Sequence, residues 1–150
     1  MTGAGDRIPR LLPSLVRKPA RLTLRGGLLE AARALEEPAC GAAAVKNIRW
    51  ALTKQQPNGW FEDCCLTGAV QIAACWFLLF DITGNRGCAE AARRANTFVR
   101  RTIHQDGDVG LRGTVKGSYP VNGHYGRFEA LNWAARFAID ANFVELVCKD

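Results

Sequence analysis

The feature that most constrains the fold is a run of almost continuously apolar residues between Thr67 and Ile82. As a helix, this run would be apolar on nearly every side instead of along one stripe, so it has to be covered from several directions. We therefore predict a buried helix over these residues. The longest apolar stretch, Ala69 to Phe80, is shorter than the 20 or so residues that cross a bilayer, and we predict no transmembrane segment.

Helical periodicity also precedes this run. A short helix is predicted over Leu28–Leu35, ending before Pro38, and Gly41 separates it from a second helix. The second helix carries apolar residues at three- and four-residue steps up to Leu52, and Pro57 ends it.

Two more helices are predicted after the Thr83-Gly84-Asn85 turn, whose glycine suits a helix C-terminus. The fourth helix places Ala91, Ala95, Phe98, Val99, Thr102 and Ile103 on one side. Its other side carries Arg93, Arg100 and Arg101, which we interpret as a solvated basic face and not as a docking site. The last helix, about Arg127 to Val147, is predicted to place Phe128, Leu131, Ala135, Ala138, Ile139 and Leu146 inward. The fold class is therefore all-α, with about five helices.

The positive charge is concentrated at one end of the chain. The formal net charge is +6, of which +5 belongs to residues 1–25, a segment that also contains three prolines. We interpret residues 1–25 as a basic flexible lead-in and residues 26–150 as one helical domain. Charge confined to a tail argues against nucleic-acid binding as a main function. Six cysteines without a secretory apolar region ahead of them indicate reduced thiols and a cytoplasmic protein.

Four segments resemble a known superfamily. They are Gln55-Gln56-Pro57-Asn58-Gly59-Trp60-Phe61, Cys65 to Ala73, Lys116-Gly117-Ser118-Tyr119-Pro120, and Leu131 to Phe137. The first resembles the glutamine–tryptophan repeat of terpenoid cyclases and protein prenyltransferases, whose α-hairpins close into an (α/α)₆ toroid. Together the segments look most like squalene-cyclase-like proteins associated with bacterial polysaccharide biosynthesis.

This resemblance implies a shortened (α/α) hairpin array, because a closed toroid of that superfamily has about twelve helices. Cyclase chemistry is not implied, since the chain has no Asp-x-Asp-Asp cluster to protonate an alkene. A shortened ring would have to reclose or to self-associate. We therefore expect that self-association could occur through the apolar helix 67–82.

The first candidate site is the glycine-rich stretch from 105 to 126 and the start of the following helix. Cations, hydroxyls and aromatic rings suit a sugar phosphate, a glycan or a polyprenyl-linked sugar. The candidate ligand-binding residues are Arg112, Lys116, Ser118, Tyr119, His124, Tyr125, Arg127, Asn132 and Trp133. The alternative interpretation is a mobile surface loop with solvated charges, in which Asp106-Gly107-Asp108 performs turn chemistry.

The second candidate is a zinc site formed by Asp63, Cys65 and His124. Carboxylate, thiolate and imidazole are suitable ligands for a catalytic zinc with one open position. Protein prenyltransferases have a similar Asp-x-Cys and distant His. In the alternative interpretation, Cys65 only caps or packs the helix that follows it.

These candidates lead to three functional hypotheses. The first is an accessory or binding protein of surface polysaccharide synthesis, which needs no cofactor. The second is a zinc-dependent, prenyltransferase-like transferase. The third is a truncated, non-functional fragment, so the sequence leaves open whether the protein is an enzyme.

Overall fold

The computed structural model describes residues 38–62 and 65–148. This part of the chain contains four α-helices and no strands: α1 (Pro38–Leu52), α2 (Leu66–Thr83), α3 (Arg86–Arg100) and α4 (Asn132–Val147). The all-α prediction is confirmed. The predicted helix over Leu28–Leu35 and the basic segment 1–25 lie outside the described residues.

The predicted apolar helix, α2, is the centre of the fold. It packs against α1, α3 and α4. Its buried residues divide into two core clusters, one around Trp76 and Phe77 facing α1 and α3, and the other around Leu66 and Val70 facing α4. The expectation that this helix must be covered on several sides is confirmed.

α2 is also the one helix in the described part that is long and apolar enough to cross a membrane, with 18 residues and a mean hydropathy of 1.6. However, 61% of that stretch is buried inside the fold, as in the core helix of a soluble protein. An apolar helix that could mediate association is therefore present, but most of its surface is buried against other parts of the same chain.

The indole of Trp76 holds three parts of the chain together. Its Nε1–H donates to the Ile48 carbonyl of α1 at 2.9 Å. Phe61, from the turn between α1 and α2, stacks on the same indole with ring centroids 6.0 Å apart. Of the aromatic pair Trp60-Phe61 that follows Gly59, Phe61 thus packs on α2, the next helix in the chain.

The turn after α1 is fixed to the backbone of α3. The Gln55 Nε2 donates to the Ala91 carbonyl at 2.9 Å, and Arg94 Nη2 donates to Gln55 Oε1 at 3.1 Å. Gly59 has φ +91°, and a Cβ at this position would lie 2.2 Å from the Arg94 carbonyl oxygen. Only glycine allows so close an approach in this conformation.

The α2–α3 hairpin turns as predicted. Gly84 is left-handed with φ 69°, and its N–H donates to the Phe80 carbonyl. Asn85 caps α3, its Oδ1 accepting from the Gly87 N–H at 3.0 Å. α3 ends at Arg100, so the prediction of Thr102 and Ile103 as helical positions is wrong, and they lie in the turn that follows.

The predicted start of the last helix at Arg127 is wrong, because α4 begins at Asn132. Phe128 has φ +59°, which is incompatible with a right-handed helix. The Glu129 carbonyl and the Leu131 N–H bond instead to Gly117 and Val115.

The predicted inward set of α4 is only partly right. Leu131 and Ala138 are buried, whereas Phe128, Ile139 and Leu146 are exposed. α4 faces the core through small residues, Ala134, Ala138 and Ala141. Phe137 and Val144 pack partly against the core beside this face, whereas Ile139 and Leu146 lie outside it.

A polar network fastens α4 to α3. Arg100 Nη1 and Glu145 Oε2 form an ion pair at 2.8 Å, and the buried Asn96 Nδ2 donates to the same oxygen at 2.7 Å. Asn96 Nδ2 also donates to the Ala141 carbonyl at 3.2 Å. Arg100 was expected on a solvated basic face, but its partner is 45 residues away in sequence, which local periodicity does not reveal.

Gly59→Ala should destabilise the fold strongly. A positive φ costs an alanine roughly 1–2 kcal/mol, and the clash with the Arg94 carbonyl adds to it, so we expect a loss of about 3 kcal/mol or more in the free energy of unfolding. Gly84→Ala is the matched control, because Gly84 also has a positive φ but nothing lies within 4 Å of its Cβ position. If urea denaturation shows that both variants lose the same free energy of unfolding, the turn at Gly59 does not approach α3 as closely as the structure shows.

Glu145→Ala should lower the free energy of unfolding by about 1–2 kcal/mol, because it removes the acceptor of a buried amide and the partner of Arg100. Asp140→Ala is the control. Asp140 pairs with Arg136 one turn away on the same helix, and such pairs contribute about 0.5 kcal/mol or less. If both variants unfold at the same denaturant concentration, the network does not fasten α4.

Candidate functional site

The candidate site is built on a short extended segment, residues 115–118, held between two other parts of the chain. The Leu66 N–H donates to the Gly117 carbonyl, the Gly117 N–H to the Glu129 carbonyl, and the Leu131 N–H to the Val115 carbonyl, each at 3.0 Å. These bonds form two isolated antiparallel bridges. We call residues 115–118 the clamp segment. Its Val115 and Ser118 are buried, so the alternative interpretation as a solvated loop is wrong for this stretch.

Gly117 allows a second segment to cross the clamp segment. A Cβ on Gly117 would lie 2.5 Å from the Tyr125 carbonyl oxygen and 2.7 Å from the Gly126 Cα. The crossing brings the chain around Tyr125 next to the segment that carries Lys116. Two parts of the glycine-rich stretch are thus in contact.

The residues before the clamp segment form a closed turn. The Gly113 N–H donates to the His104 carbonyl at 2.8 Å, and Asp108 Oδ1 accepts from the Gly110 N–H at 2.7 Å. Asp108 therefore performs the turn chemistry that the Asp106-Gly107-Asp108 pattern predicts. Arg112 lies on this turn and donates from Nε to the Gly107 carbonyl at 3.2 Å.

A cleft of about 480 Å³ opens between the end of α3 and the clamp segment. This volume lies within the range of about 300–1,000 Å³ of small-molecule sites. The residues that line it are Arg101, Thr102, Ile103, His104, Gln105, Asp106, Lys116 and Tyr119. Tyr119 is half exposed, and its ring meets Phe98 edge-on with centroids 5.6 Å apart.

The cleft combines groups that suit an anionic sugar. The guanidinium of Arg101 and the ammonium group of Lys116 are cationic donors that suit phosphate oxygens. Asp106 supplies a carboxylate, which accepts hydrogen bonds from hydroxyl groups and disfavours a second anion near it. The exposed Tyr119 ring can stack on a ring of the ligand.

The structure separates the predicted ligand-binding residues into groups. Lys116 and Tyr119 line the cleft, but Arg112 does not. Ser118 is 3% exposed, and its Oγ has no hydrogen-bond partner in the part of the chain that the structure describes. Its hydroxyl is therefore placed in the core beside the cleft, not on its surface.

The remaining predicted residues form an aromatic patch around the start of α4. Trp133 Nε1 donates to the Tyr125 hydroxyl at 2.9 Å, and both rings are nearly half exposed. The Arg127 guanidinium lies 5.2 Å from the Phe128 ring centroid. His124 is exposed on the same loop, and Asn132 Oδ1 accepts from the Trp133 N–H.

Two members of the predicted zinc site can be placed, and Asp63 lies outside the described residues. Cys65 is the N-cap of α2, its Sγ accepting from the Gly68 N–H at 3.3 Å. His124 is exposed. Within residues 38–62 and 65–148, no three His, Cys, Asp or Glu side chains are grouped to hold a metal ion.

A further thiol, Cys88, lies in the core. Burial raises the pKa of the Cys88 thiol, and the nearby charge of Arg49 only partly opposes this effect. The raised pKa favours the protonated thiol over the thiolate, which is the form that binds metals.

Sequence reasoning did not identify Arg101 and His104 as site residues. The sequence predicts Arg101 on a solvated helix face together with Arg93 and Arg100, and His104 lies just beyond the end of α3. Their position just after the end of α3 could have identified them, because this end of the helix lies beside the clamp segment.

No protein-family model, curated protein or solved structure matches this chain significantly.

Substitutions of Cys65 distinguish a capping role from metal binding. Serine is a good N-cap, so Cys65→Ser should keep or raise the free energy of unfolding, whereas Cys65→Ala should lower it by about 1 kcal/mol. Thermal unfolding measured with and without a zinc chelator checks this. A large loss of stability on chelation in the unmodified protein, absent from Cys65→Ser, would contradict the capping role.

Proposed function

We propose that the protein is a binding or accessory module for an anionic sugar, such as a sugar phosphate, a glycan or a polyprenyl-linked sugar. The observation that carries the proposal is the convergence of Arg101, Lys116 and Tyr119 on one open cleft of about 480 Å³. Two cationic side chains beside an exposed aromatic ring suit a phosphate attached to a sugar ring.

The backbone that carries the two cations is fixed by hydrogen bonds, which supports a binding site and not a solvated surface. Lys116 belongs to the clamp segment, whose backbone bonds to residues 66, 129 and 131, and Arg101 continues the last turn of α3 by donating to the Thr97 carbonyl. Both cations thus stand on backbone that is ordered before a ligand arrives. Such preorganisation lowers the entropic cost of binding.

The aromatic patch extends the proposal from a single sugar to a longer glycan. Tyr125 and Trp133 hold each other through a hydrogen bond while leaving ring surface exposed. Exposed, rigid aromatic rings are suitable stacking surfaces for the apolar faces of sugar rings. A saccharide chain reaching beyond the cleft could use them.

The pathway is proposed from resemblance. If the chain is a shortened (α/α) toroid similar to squalene-cyclase-like proteins of bacterial polysaccharide biosynthesis, its ligand is an intermediate of surface polysaccharide synthesis, handled in the cytoplasm. The α2–α3 hairpin and the turn around Gln55 and Gly59 are consistent with that hairpin architecture. The zinc-dependent transferase is the rival proposal, and stoichiometric zinc lost in His124→Ala would favour it.

Binding of glucose 1-phosphate tests the proposed function. Amide resonances of residues 101–106 and 116–119 should shift on titration, and glucose alone should shift them much less because it lacks the anion. The double variant Arg101→Ala with Lys116→Ala should weaken binding by about a hundredfold or more, since each charged hydrogen bond contributes about 1.5–3 kcal/mol.

Lys54→Ala is the control for the loss of positive charge. Lys54 lies over the Trp50 ring beyond the end of α1 and does not line the cleft. If Lys54→Ala weakens binding as much as the double variant does, the interaction is non-specific attraction to a basic protein, and the cleft is not the site.

A further inference from the structure

The cleft between the end of α3 and the clamp segment is lined by four ionisable side chains that have no partner of their own. They are Arg101, His104, Asp106 and Lys116. In the part of the chain that the structure describes, none of these side chains forms an ion pair or a side-chain hydrogen bond. The ion pair between α3 and α4, by contrast, is complete. The four groups of the cleft therefore keep their hydrogen-bonding capacity for a ligand.

Asp106 is the acidic member of this set, and the backbone on both sides of it is fixed. The His104 carbonyl accepts from the Gly113 N–H at 2.8 Å, and the Gly107 carbonyl accepts from Arg112 Nε at 3.2 Å. Neither cation of the cleft pairs with the Asp106 carboxylate, although all three groups line the same space. The carboxylate thus stands on ordered backbone and lacks a counter-charge.

The unpaired carboxylate restricts which part of a ligand can lie beside it. A phosphate bound to the two cations is repelled by Asp106, so another part of the ligand has to face this side chain. A sugar hydroxyl can donate one hydrogen bond to a carboxylate, but it leaves the negative charge uncompensated. A cationic amino group supplies up to three donors and the opposite charge. Since a ligand that displaces water makes an uncompensated charge costly, an amino group suits Asp106 better than a hydroxyl does.

We propose that the ligand of the cleft is an amino sugar phosphate, with its phosphate on Arg101 and Lys116 and its amino group on Asp106. This proposal rests on the proposed function, which it narrows from anionic sugars in general to sugars that carry both charges. The formal charges are complementary. Two cations and one carboxylate give the cleft a net charge of +1 apart from His104, and a phosphate of about −2 with one amino cation gives the ligand about −1.

The test compares three sugar 1-phosphates that differ at one position of the ring. Glucosamine 1-phosphate carries a cationic amino group there, glucose 1-phosphate a hydroxyl, and N-acetylglucosamine 1-phosphate a neutral amide. Dissociation constants are measured on the full chain by titration of its amide resonances. We expect glucosamine 1-phosphate to bind about threefold tighter or more than either of the others, because even a solvent-exposed ion pair can contribute this factor.

Two matched variants assign the preference to Asp106. Asp106→Asn keeps the shape of the side chain and removes its charge, so the preference for glucosamine 1-phosphate should disappear. Glucose 1-phosphate should bind this variant as tightly as before or more tightly, because a negative charge near the bound phosphate is gone. Asp108→Asn is the control. Asp108 does not line the cleft, and its Oδ1 accepts from the Gly110 N–H at 2.7 Å, a bond that asparagine preserves, so this variant should keep the preference.

Three results would overturn the inference. They are equal binding of the three ligands by the unmodified chain, a preference that Asp106→Asn retains, and a preference that Asp108→Asn loses as well. In each of these cases a sugar phosphate still binds, so the proposed function stands while the amino group is not recognised by Asp106. If none of the three ligands binds the unmodified chain, the proposed function itself is wrong, and the inference that rests on it is wrong too.

Discussion

The burial of α2 is the interaction on which the other elements depend. Because this helix is apolar on nearly every side, each neighbour gains stability by covering part of it, and each large side chain buried contributes roughly 1.5–3 kcal/mol. α1, α3 and α4 take three sides, and Val115 of the clamp segment joins the cluster around Leu66 and Val70. The arrangement of helices thus follows from one segment of sequence.

The same burial explains why a glycine-rich stretch can position a site. Val115 enters the core, and the backbone of residues 115–117 bonds to the start of α2 and to the residues before α4. Lys116 lies between these anchored positions, so its place is set by the core. Arg101 arrives from the end of α3, the helix that packs most extensively on α2. The proposed cleft therefore lies where the end of α3 and the clamp segment, both packed on α2, meet.

The sequence predicted what local patterns encode. Continuous apolarity identified α2 as a core helix, and Gly84-Asn85 marked the hairpin, because helix ends have local chemistry. It missed features that depend on distant partners, such as the bond from Arg100 to Glu145. It also started α4 too early, since periodicity continued through Phe128 while the backbone there turns left-handed to meet the clamp segment. Of the predicted site residues, only Lys116 and Tyr119 line the cleft. Arg101 and His104 also line it, but tertiary packing brings them next to Lys116, and the local sequence pattern does not show this.

The clamp segment is part of the core, and its burial positions the site. Residue-resolved amide hydrogen exchange tests it most directly, at Leu66, Gly117 and Leu131, whose N–H groups form the three bonds between segments. The structure predicts that these amides exchange about as slowly as those in the middle of α2 and far more slowly than that of exposed Val109. If the Gly117 and Leu131 amides exchange as fast as that of Val109 while α2 stays protected, the clamp segment is not part of the core.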